Sequence, residues 1–362
     1  MSRKSDFEKI SIAISSYLKF IADKAIVGHG DSLSILKLIP DQSISLILTD
    51  PPYHSTQKSN IYGDKAFKED QQYLDWMGKY INEWRRVLKP NGSIFCFCSP
   101  SMSSKIENLF SNKFNILSNI VWTKPNDPGF DGWKQKMKKE ALRQWYPHTE
   151  RIIFAEPAFR GNLHRSYFGN LLRELRVKAE LSGHQLTEII GAFGRINHGG
   201  AVSNWEAGRN IPSREQYDKI CKALISTKKI KNMPNYEDVI RPFKMDATKE
   251  FTDVWNFSSV KPFIGKHPAE KPINLLEHAI SATTYTDDIV LDCFGGSGST
   301  SIAALKLGRF AISLEIEESW VNKIIDKIKL FTQIEKELPN EFKSQKSRNE
   351  NNISPQVLLF NI

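Results

Sequence analysis

Seven short apolar runs, each ended by a chain breaker or polar turn and most separated by stretches of helical period, constrain the fold of this chain more than any other feature. Ala25-Ile26-Val27 is closed by Gly28-His29-Gly30-Asp31, and Ser32 to Leu38 reads as a helix. Ser45-Leu46-Ile47-Leu48-Thr49 is a buried strand, stopped by Pro51-Pro52, which remove two N–H donors. Tyr73 to Leu88 is amphipathic and helical, and Lys89-Pro90-Asn91-Gly92 reads as the turn that ends it. Ser93 to Cys98, Ile116 to Trp122 and Glu150 to Ala155 read as three further strands. Near the other end, the strand Ile289 to Asp292 leads through a glycine-rich turn into a helix over Ser301 to Leu307 and the strand Phe310 to Leu314. Strands alternating with helices predict an α/β fold with a doubly wound, mostly parallel sheet.

That alternation is interrupted. From about Phe159 to Lys231 the pattern changes to short helices with polar turns, so the plan is one α/β domain in two pieces around a small inserted helical domain. The predicted division is an N-terminal helix over 1–23, the first α/β part over 24–158, the helical insert over 159–232, the second α/β part over 233–330 and a polar C-terminal tail over 331–362. The charge follows this division. The chain has a formal charge of +9, and Lys124 to Lys231 holds 20 Lys+Arg against 11 Asp+Glu, so the whole excess falls there. A polyanionic partner is implied, but not which one. No run of about 18 apolar residues predicts a transmembrane helix, and the N-terminus lacks the pattern of a secretory signal. Cys96, Cys98, Cys221 and Cys293 suggest no disulfide framework or zinc site; Cys96 and Cys98 share one strand face, as buried thiols would in a reducing cytosol. The expectation is a cytoplasmic protein without a metal.

Two segments carry chemistry. In the first, Asp292-Cys293-Phe294-Gly295-Gly296-Ser297-Gly298 follows a buried strand, the position where doubly wound sheets bind ligands. Glu315 ends the next strand, where a carboxylate can accept hydrogen bonds from ribose hydroxyls. Ser301 stands where a dinucleotide fingerprint needs its third glycine, and Ser299 stands where a P-loop needs lysine, so neither pattern is met. A glycine turn alone is also what a tight strand-to-helix connection needs, but Asp292 before it and Glu315 after it favour a ligand site. In the second segment, Asp50-Pro51-Pro52-Tyr53 offers carbonyl acceptors, a carboxylate and an aromatic face. These suit a flat substrate that donates hydrogen bonds, such as a base with an exocyclic amine. The alternative is a rigid turn with a helix-capping Asp and a core Tyr.

Together these motifs resemble the β class of amino-methylating DNA methyltransferases, which use S-adenosylmethionine and have a circularly permuted motif order on the class I methyltransferase fold. Gly30-Asp31-Ser32-Leu33, Val87-Leu88-Lys89-Pro90-Asn91-Gly92-Ser93 and His267-Pro268-Ala269-Glu270-Lys271-Pro272 extend the resemblance over roughly 24–158 and 250–330. Cys293 stands where the family usually has Pro, and Ser299 where it has Thr; both are small enough for the turn.

The resemblance implies methyl transfer from S-adenosylmethionine, leaving S-adenosylhomocysteine, to adenine N6 of a base flipped from duplex DNA. Asp50, Pro51, Pro52 and Tyr53 would be the catalytic residues. Asp31, Asp50, Lys271, Asp292, Phe294, Gly295, Gly296, Ser297, Gly298 and Glu315 would form the cofactor site. Lys271 would meet the cofactor carboxylate or be a surface lysine before the next helix. Cytosine-N4 methylation is the nearest rival, with Asp50 favouring adenine because cytosine enzymes more often begin the motif with Ser. A DNA-binding regulator with an inactive methyltransferase fold is the rival of another class. The family also suggests a homodimer, a cognate restriction endonuclease and a bacterial or phage source.

The insert resembles the helix-turn-helix of phage repressors, most clearly from Val202 to Leu224, with a longer turn over Phe193 to Gly200. Asn197, His198, Ser203 and Asn204 would reach base edges, while Arg195, Arg209 and Arg214 would contact phosphate or guanine. Trp205 falls on the core side by helical period. A helical protein-interaction module is the other reading. Lys134, Lys136 and Lys138, between Trp133 and Trp145, are either a loop gripping the DNA backbone or a solvated face.

Overall fold

The computed structural model describes residues 3–54, 66–125, 140, 143, 145, 148–158, 166–193, 200–244, 251–261 and 263–337. The strands are β1 (Leu18–Ile21), β2 (Ala25–His29), β3 (Ile44–Thr49), β4 (Leu88–Cys98), β5 (Phe114–Trp122), β6 (Glu150–Pro157), β7 (Val254–Trp255), β8 (Ile289–Asp292) and β9 (Phe310–Glu315). Among the described residues they form one nine-stranded sheet, in the order β1-β2-β9-β8-β3-β4-β6-β5-β7. The five strands from β2 to β4 in that order are parallel, as the alternation predicts. Outside them, β1 and β6 run antiparallel to their inner neighbours, β5 runs antiparallel to β6, and β7 pairs parallel with β5.

The β3–β8 pairing positions the site. β8 leads to β9 on one side and β3 leads to β4 on the other, so the topology reverses between β8 and β3. Leu46 pairs with Val290 and Ile47 with Leu291, which brings the carboxyl ends of both strands side by side. Open α/β sheets leave a crevice at such a reversal.

Alternation along these strands feeds two cores. Ile47, Ile94, Cys96, Cys98, Leu291 and Ile312 pack under α1 (Arg3–Ala13), α2 (Ser32–Leu36), α3 (Asp70–Val87) and α4 (Ser103–Ser111). Cys96 and Cys98 therefore do share a buried face. The N-terminal segment differs from the expected single helix. Helix α1 ends at Ala13, and after a short 3-10 turn the chain returns as β1, whose backbone satisfies the open edge of β2. Lys89 to Gly92 differs as well. It lies inside β4, where the register against β3 jumps from Leu88 to Ser93. A side chain at Gly92 would press on Ser45 O and Leu88, so the predicted turn becomes a bulge packed on its neighbour.

The insert comprises α5 (Tyr167–Lys178), α6 (Gly183–Ile190), α7 (Ala201–Glu206), α8 (Arg214–Ser226) and α9 (Tyr236–Val239). It has a core of its own, built on Phe168, Leu172, Leu186, Val202, Trp205, Ile220 and Leu224; Trp205 is buried, as its period predicts. Ser182 with Gln185 and Ser213 with Gln216 form capping boxes that start α6 and α8. The core continues past residue 232 to Val239 and Ile240. There Asn91 of the β4 bulge donates to Glu237 O and Ile240 O and ties the insert to the sheet.

On the other sheet face, Leu46, Leu48, Val290 and Ala311 pack with α10 (Ile273–Thr283) and α11 (Ser299–Lys306), while α12 (Glu318–Glu337) covers Ala25 and Val27. α12 buries Phe331 and continues to Glu337, where a polar tail was predicted. Residues 338–362 of that tail lie outside the described residues. No described helix is long and apolar enough to cross a membrane.

Candidate active site

The glycine turn leaves β8 under tight backbone control. Gly295 N donates to Leu314 O, and Gly298 N donates to Gly295 O, both at 2.8 Å. Gly296 and Gly298 have φ of +48° and +77°, conformations that favour glycine. A Cβ on Gly296 would also lie 3.2 Å from the His267 ring. That ring sits edge-on against Trp320, and burial, with Lys271, Lys327 and other lysines nearby, holds its pKa down at about 4. His267 is therefore neutral at physiological pH.

Glu315 closes the turn from the end of β9. Its Oε2 accepts from Gly296 N at 2.7 Å, and its Oε1 accepts from Ile316 N and Glu317 N. Burial raises its pKa, against these three N–H groups. Gly30 N donates to Glu315 O, so Asp31 starts at the adjoining strand end. Its Oδ2 caps α2 by accepting from Ser34 N and Oγ. Phe294 packs against Trp76 and Tyr80 of α3. Ser297 Oγ lies 2.8 Å from Ser299 Oγ, which donates to Glu270 Oε1. The other oxygen of that carboxylate, Glu270 Oε2, is buried with no hydrogen-bond partner among the described residues.

Thr49 links the two motifs. Its hydroxyl donates to Asp292 Oδ1 at 3.1 Å and accepts from Cys293 N at 3.2 Å. Asp292 Oδ1 also accepts from Phe294 N. Burial raises the Asp292 pKa to about 7 despite these donors, so this carboxyl is poised at the edge of ionisation.

At the end of β3, Asp50, Tyr53, Glu150, Lys124 and Lys271 form a group of two carboxylates, two ammonium groups and a phenol, with Lys271 buried and the others half-buried. Lys271 Nζ donates to Asp50 Oδ2 at 2.5 Å and lies 3.4 Å from Glu150 Oε2. Tyr53 OH donates to Glu150 Oε2 at 2.8 Å, and Lys124 donates to Glu150 Oε1. The Lys271 ammonium lies over the rings of Tyr53 and Phe97, at 5.3 and 5.0 Å. Burial raises the Asp50 pKa, with Lys271 opposing it. Burial opposes ionisation of Glu150 too, but Lys271 and Lys124 overcome it and hold that pKa at about 2. Burial beside Asp50 and Glu150 pushes the Tyr53 phenol well up, so it stays protonated. Asp50 Oδ1 is buried and has no hydrogen-bond partner among the described residues. Pro52 O accepts from Tyr73 OH, which fixes the motif against α3.

The structure thus brings Asp50, Tyr53 and Lys271 together at one strand end, and Asp292, Gly295 to Gly298 and Glu315 together at the next. Lys271 is 7% exposed, so the surface-lysine alternative falls. Sequence reasoning missed Thr49, Glu150 and Glu270 as site residues. An ionisable residue opening a buried strand, as Glu150 does, was the available signal.

On the insert, Ser203 and Arg209 are exposed and Asn204 half-buried. Ser203 Oγ donates to Gly200 O, and Arg209 donates to Asn204 Oδ1 at 3.3 Å. Arg214 is engaged by Glu237 and lies over the Tyr236 ring. Lys134, Lys136, Lys138, Arg195, Asn197 and His198 lie outside the described residues.

The DNA methylase family matches residues 44–326 of this chain, a span that holds both motifs and the insert. The type II methyltransferase M2.LlaDCHI of Lactococcus lactis subsp. cremoris is 27% identical over 321 residues, covering 83% of this chain and 87% of that protein. The DNA adenine methyltransferase YhdJ of Escherichia coli (strain K12) is 27% identical over 336 residues, covering 91% and 92%. Among solved structures, the PvuII DNA methyltransferase (cytosine-N4-specific) aligns over 83% of this chain and 85% of that one, with a TM-score of 0.49 and 18% identity. With strand ends and glycine turn arranged as described, and a family match over most of its length, the chain belongs to the DNA methylases that modify adenine N6 or cytosine N4.

Proposed function

We propose that this protein transfers a methyl group from S-adenosylmethionine to adenine N6 at a specific sequence in duplex DNA. The observation that carries this reading is Asp50 Oδ1, a buried acceptor without a partner among the described residues, at the end of β3 beside the glycine turn. An exocyclic amine donating to Asp50 Oδ1 and the Pro51 carbonyl is drawn toward tetrahedral geometry, which releases its lone pair from the ring. The Asp50 carboxylate then stabilises the positive charge that develops on nitrogen. Tyr53 offers its ring to the flipped base, while its hydroxyl is held by Glu150.

The glycine turn fits the cofactor. Positive-φ glycines allow close approach, Asp292 and Glu270 Oε2 suit an ammonium group, and Glu315 and Asp31 lie where ribose and adenine would be held. S-adenosylmethionine, when bound, supplies the electrophilic methyl group. Adenine is favoured over cytosine because the motif opens with Asp50, and the Escherichia coli relative is named for adenine. The insert, with Ser203, Asn204 and Arg209 outward, is the proposed reader of sequence.

Expression in a host lacking adenine methylation, followed by sequencing for modified bases, tests the reading. N6-methyladenine at one recurring sequence is expected. N4-methylcytosine instead would overturn the choice of base. Unmodified DNA from cells holding folded, cofactor-binding protein would favour a regulator built on an inactive fold.

A further inference from the structure

Glu150 and Lys271 touch neither the reacting nitrogen nor the methyl group in the scheme above, yet they hold the two side chains that meet the base. Glu150 comes from β6 and Lys271 from the segment before α10. The ammonium has three protons, and three acceptors surround it: Asp50 Oδ2, Glu150 Oε2 and Ala269 O, the last at 3.3 Å. The ammonium is thus directed at the two carboxylates in place of the cofactor carboxylate that the resemblance implied. The Glu150 carboxylate is likewise engaged, by Tyr53 OH and Lys271 at one oxygen and by Lys124 at the other. Buried charges persist only when paired in this way.

We propose, resting on the reading of Asp50 as the acceptor of the substrate amine, that Lys271 and Glu150 are positioning residues for methyl transfer. Lys271 occupies Asp50 Oδ2 and so leaves Oδ1 as the oxygen that faces the substrate. Glu150 anchors the Tyr53 hydroxyl and fixes the ring plane against which the base lies. The two act as a unit because Lys271 bridges both carboxylates.

The pH dependence gives this arrangement a signature. Asp50 faces Lys271, Glu150 of β6, Tyr53 of its own loop, Cys96 and Cys98 of β4, and Asp292 of β8. Lys271 is the cation that contacts Asp50 directly, and Lys124 stands behind it on the far oxygen of Glu150. Lys271→Met removes the cation paired with Asp50 and moves the acid limb of the kcat profile to higher pH, by about one unit or more. Glu150→Gln removes a like charge and moves that limb to lower pH, while kcat falls because Tyr53 has lost its anionic anchor.

The test uses the full chain, tritiated S-adenosylmethionine and unmethylated genomic DNA, with turnover measured from acid to mildly alkaline pH. Each variant is expected to lose at least about tenfold in kcat, with cofactor affinity by calorimetry changed by less than about threefold. Lys271→Arg, which keeps the charge without the point geometry, should return the acid limb to its wild-type position while kcat stays low. Wild-type kcat and an unmoved acid limb in both Lys271→Met and Glu150→Gln, with Asp50→Asn inactive, would overturn the positioning roles and leave the reading of Asp50 standing. Full turnover by Asp50→Asn would overturn that reading itself. Should Lys271→Met fail to fold, the isosteric Glu150→Gln decides alone: a slower enzyme with a lowered acid limb supports the proposal, and wild-type behaviour rejects it.

Discussion

The strand ends and the helical insert solve opposite problems. At the ends of β3 and β8, ionisable side chains are buried or half-buried and each is fixed by partners distant in sequence: Asp50 by Lys271, Tyr53 by Glu150, Asp292 by Thr49. On the insert, Ser203 and Asn204, proposed to read DNA, are held among the described residues by near neighbours, Ser203 by Gly200 and Asn204 by Arg209. Methyl transfer asks for atoms held in advance of the reaction, because preorganised groups cost no rearrangement as charge develops. Reading a base edge asks for side chains that reach outward from a stable support. The insert provides that support with its own core, so its surface can vary without disturbing the sheet.

The largest effect expected from breaking this contrast is at Asp50. Asp50→Asn removes the charge while keeping the shape, and methyl transfer should fall by at least about a thousandfold with cofactor binding retained. Single-turnover transfer and calorimetry on the same preparation measure both. Next in size is Gly296→Val, which sets a β-branched residue at φ +48° with its Cβ 3.2 Å from the His267 ring. Cofactor affinity should drop by at least about tenfold with little change in DNA affinity. Equal affinity for the cofactor in this variant would put the cofactor somewhere other than the turn.

The same contrast decides what was legible in the sequence. The strands around the site and their mostly parallel sheet, though not their order, followed from apolar runs and breakers, because each local pattern agrees with the sheet it enters. Asp50, Tyr53 and Asp292 could be found because they sit at strand ends next to prolines or a glycine-rich turn, and Glu315 because it ends the strand that follows that turn. Glu150 could not be linked to Tyr53, nor Lys271 to Asp50, because hydrogen bonds spanning 97 and 221 residues leave no local pattern. The β4 bulge was hidden for a related reason: Lys-Pro-Asn-Gly has turn chemistry, and only packing against Ser45 and the insert turns it into part of a strand. Antiparallel β6 was visible as a strand but not in its direction, since direction depends on a connection that the apolar pattern does not encode.

Asp292 sharpens the comparison through pH. Its pKa is about 7 in the folded chain against 3.8 for the free side chain. Between those values the native state binds more protons than the unfolded state, so stability falls as pH rises through that window. The cost of burying the ionised form is complete above about pH 7 and absent below about pH 4. Asp292→Asn keeps an acceptor for Thr49 and Phe294 N, and should raise the melting temperature of the cofactor-free protein at mildly alkaline pH. The gain should shrink as the pH is lowered. The same variant should bind the cofactor more weakly, since an amide offers an ammonium group no charge. Thermal melts over a pH series, with and without S-adenosylmethionine, separate the two effects, and a gain that grew toward acid pH would contradict the raised pKa.

The smallest effects on turnover are expected on the insert, where sequence choice rather than rate should change. Replacing Ser203 and Asn204 with Ala leaves Val202 and Trp205 in the core, so the helix should stay folded. Discrimination among sequences should weaken by about 1–3 kcal/mol for each bidentate hydrogen-bonded pair removed from a base edge, with kcat on the preferred site within about threefold of wild type. Arg209→Ala should behave differently. Arg209 is exposed, and as a phosphate ligand it should support binding to every sequence, so its removal should weaken all sites alike and flatten the salt dependence by roughly one counterion. Because Arg209 also donates to Asn204 Oδ1, a second outcome is informative. If Arg209→Ala relaxed sequence choice as the Ser203 and Asn204 changes do, and left the salt slope untouched, Arg209 would be orienting Asn204 instead of holding phosphate. The insert would then repeat on its surface the arrangement at the strand ends, one side chain fixed by another before the substrate arrives. Mapping modified bases across a genome, together with binding measured at several salt concentrations, distinguishes the two.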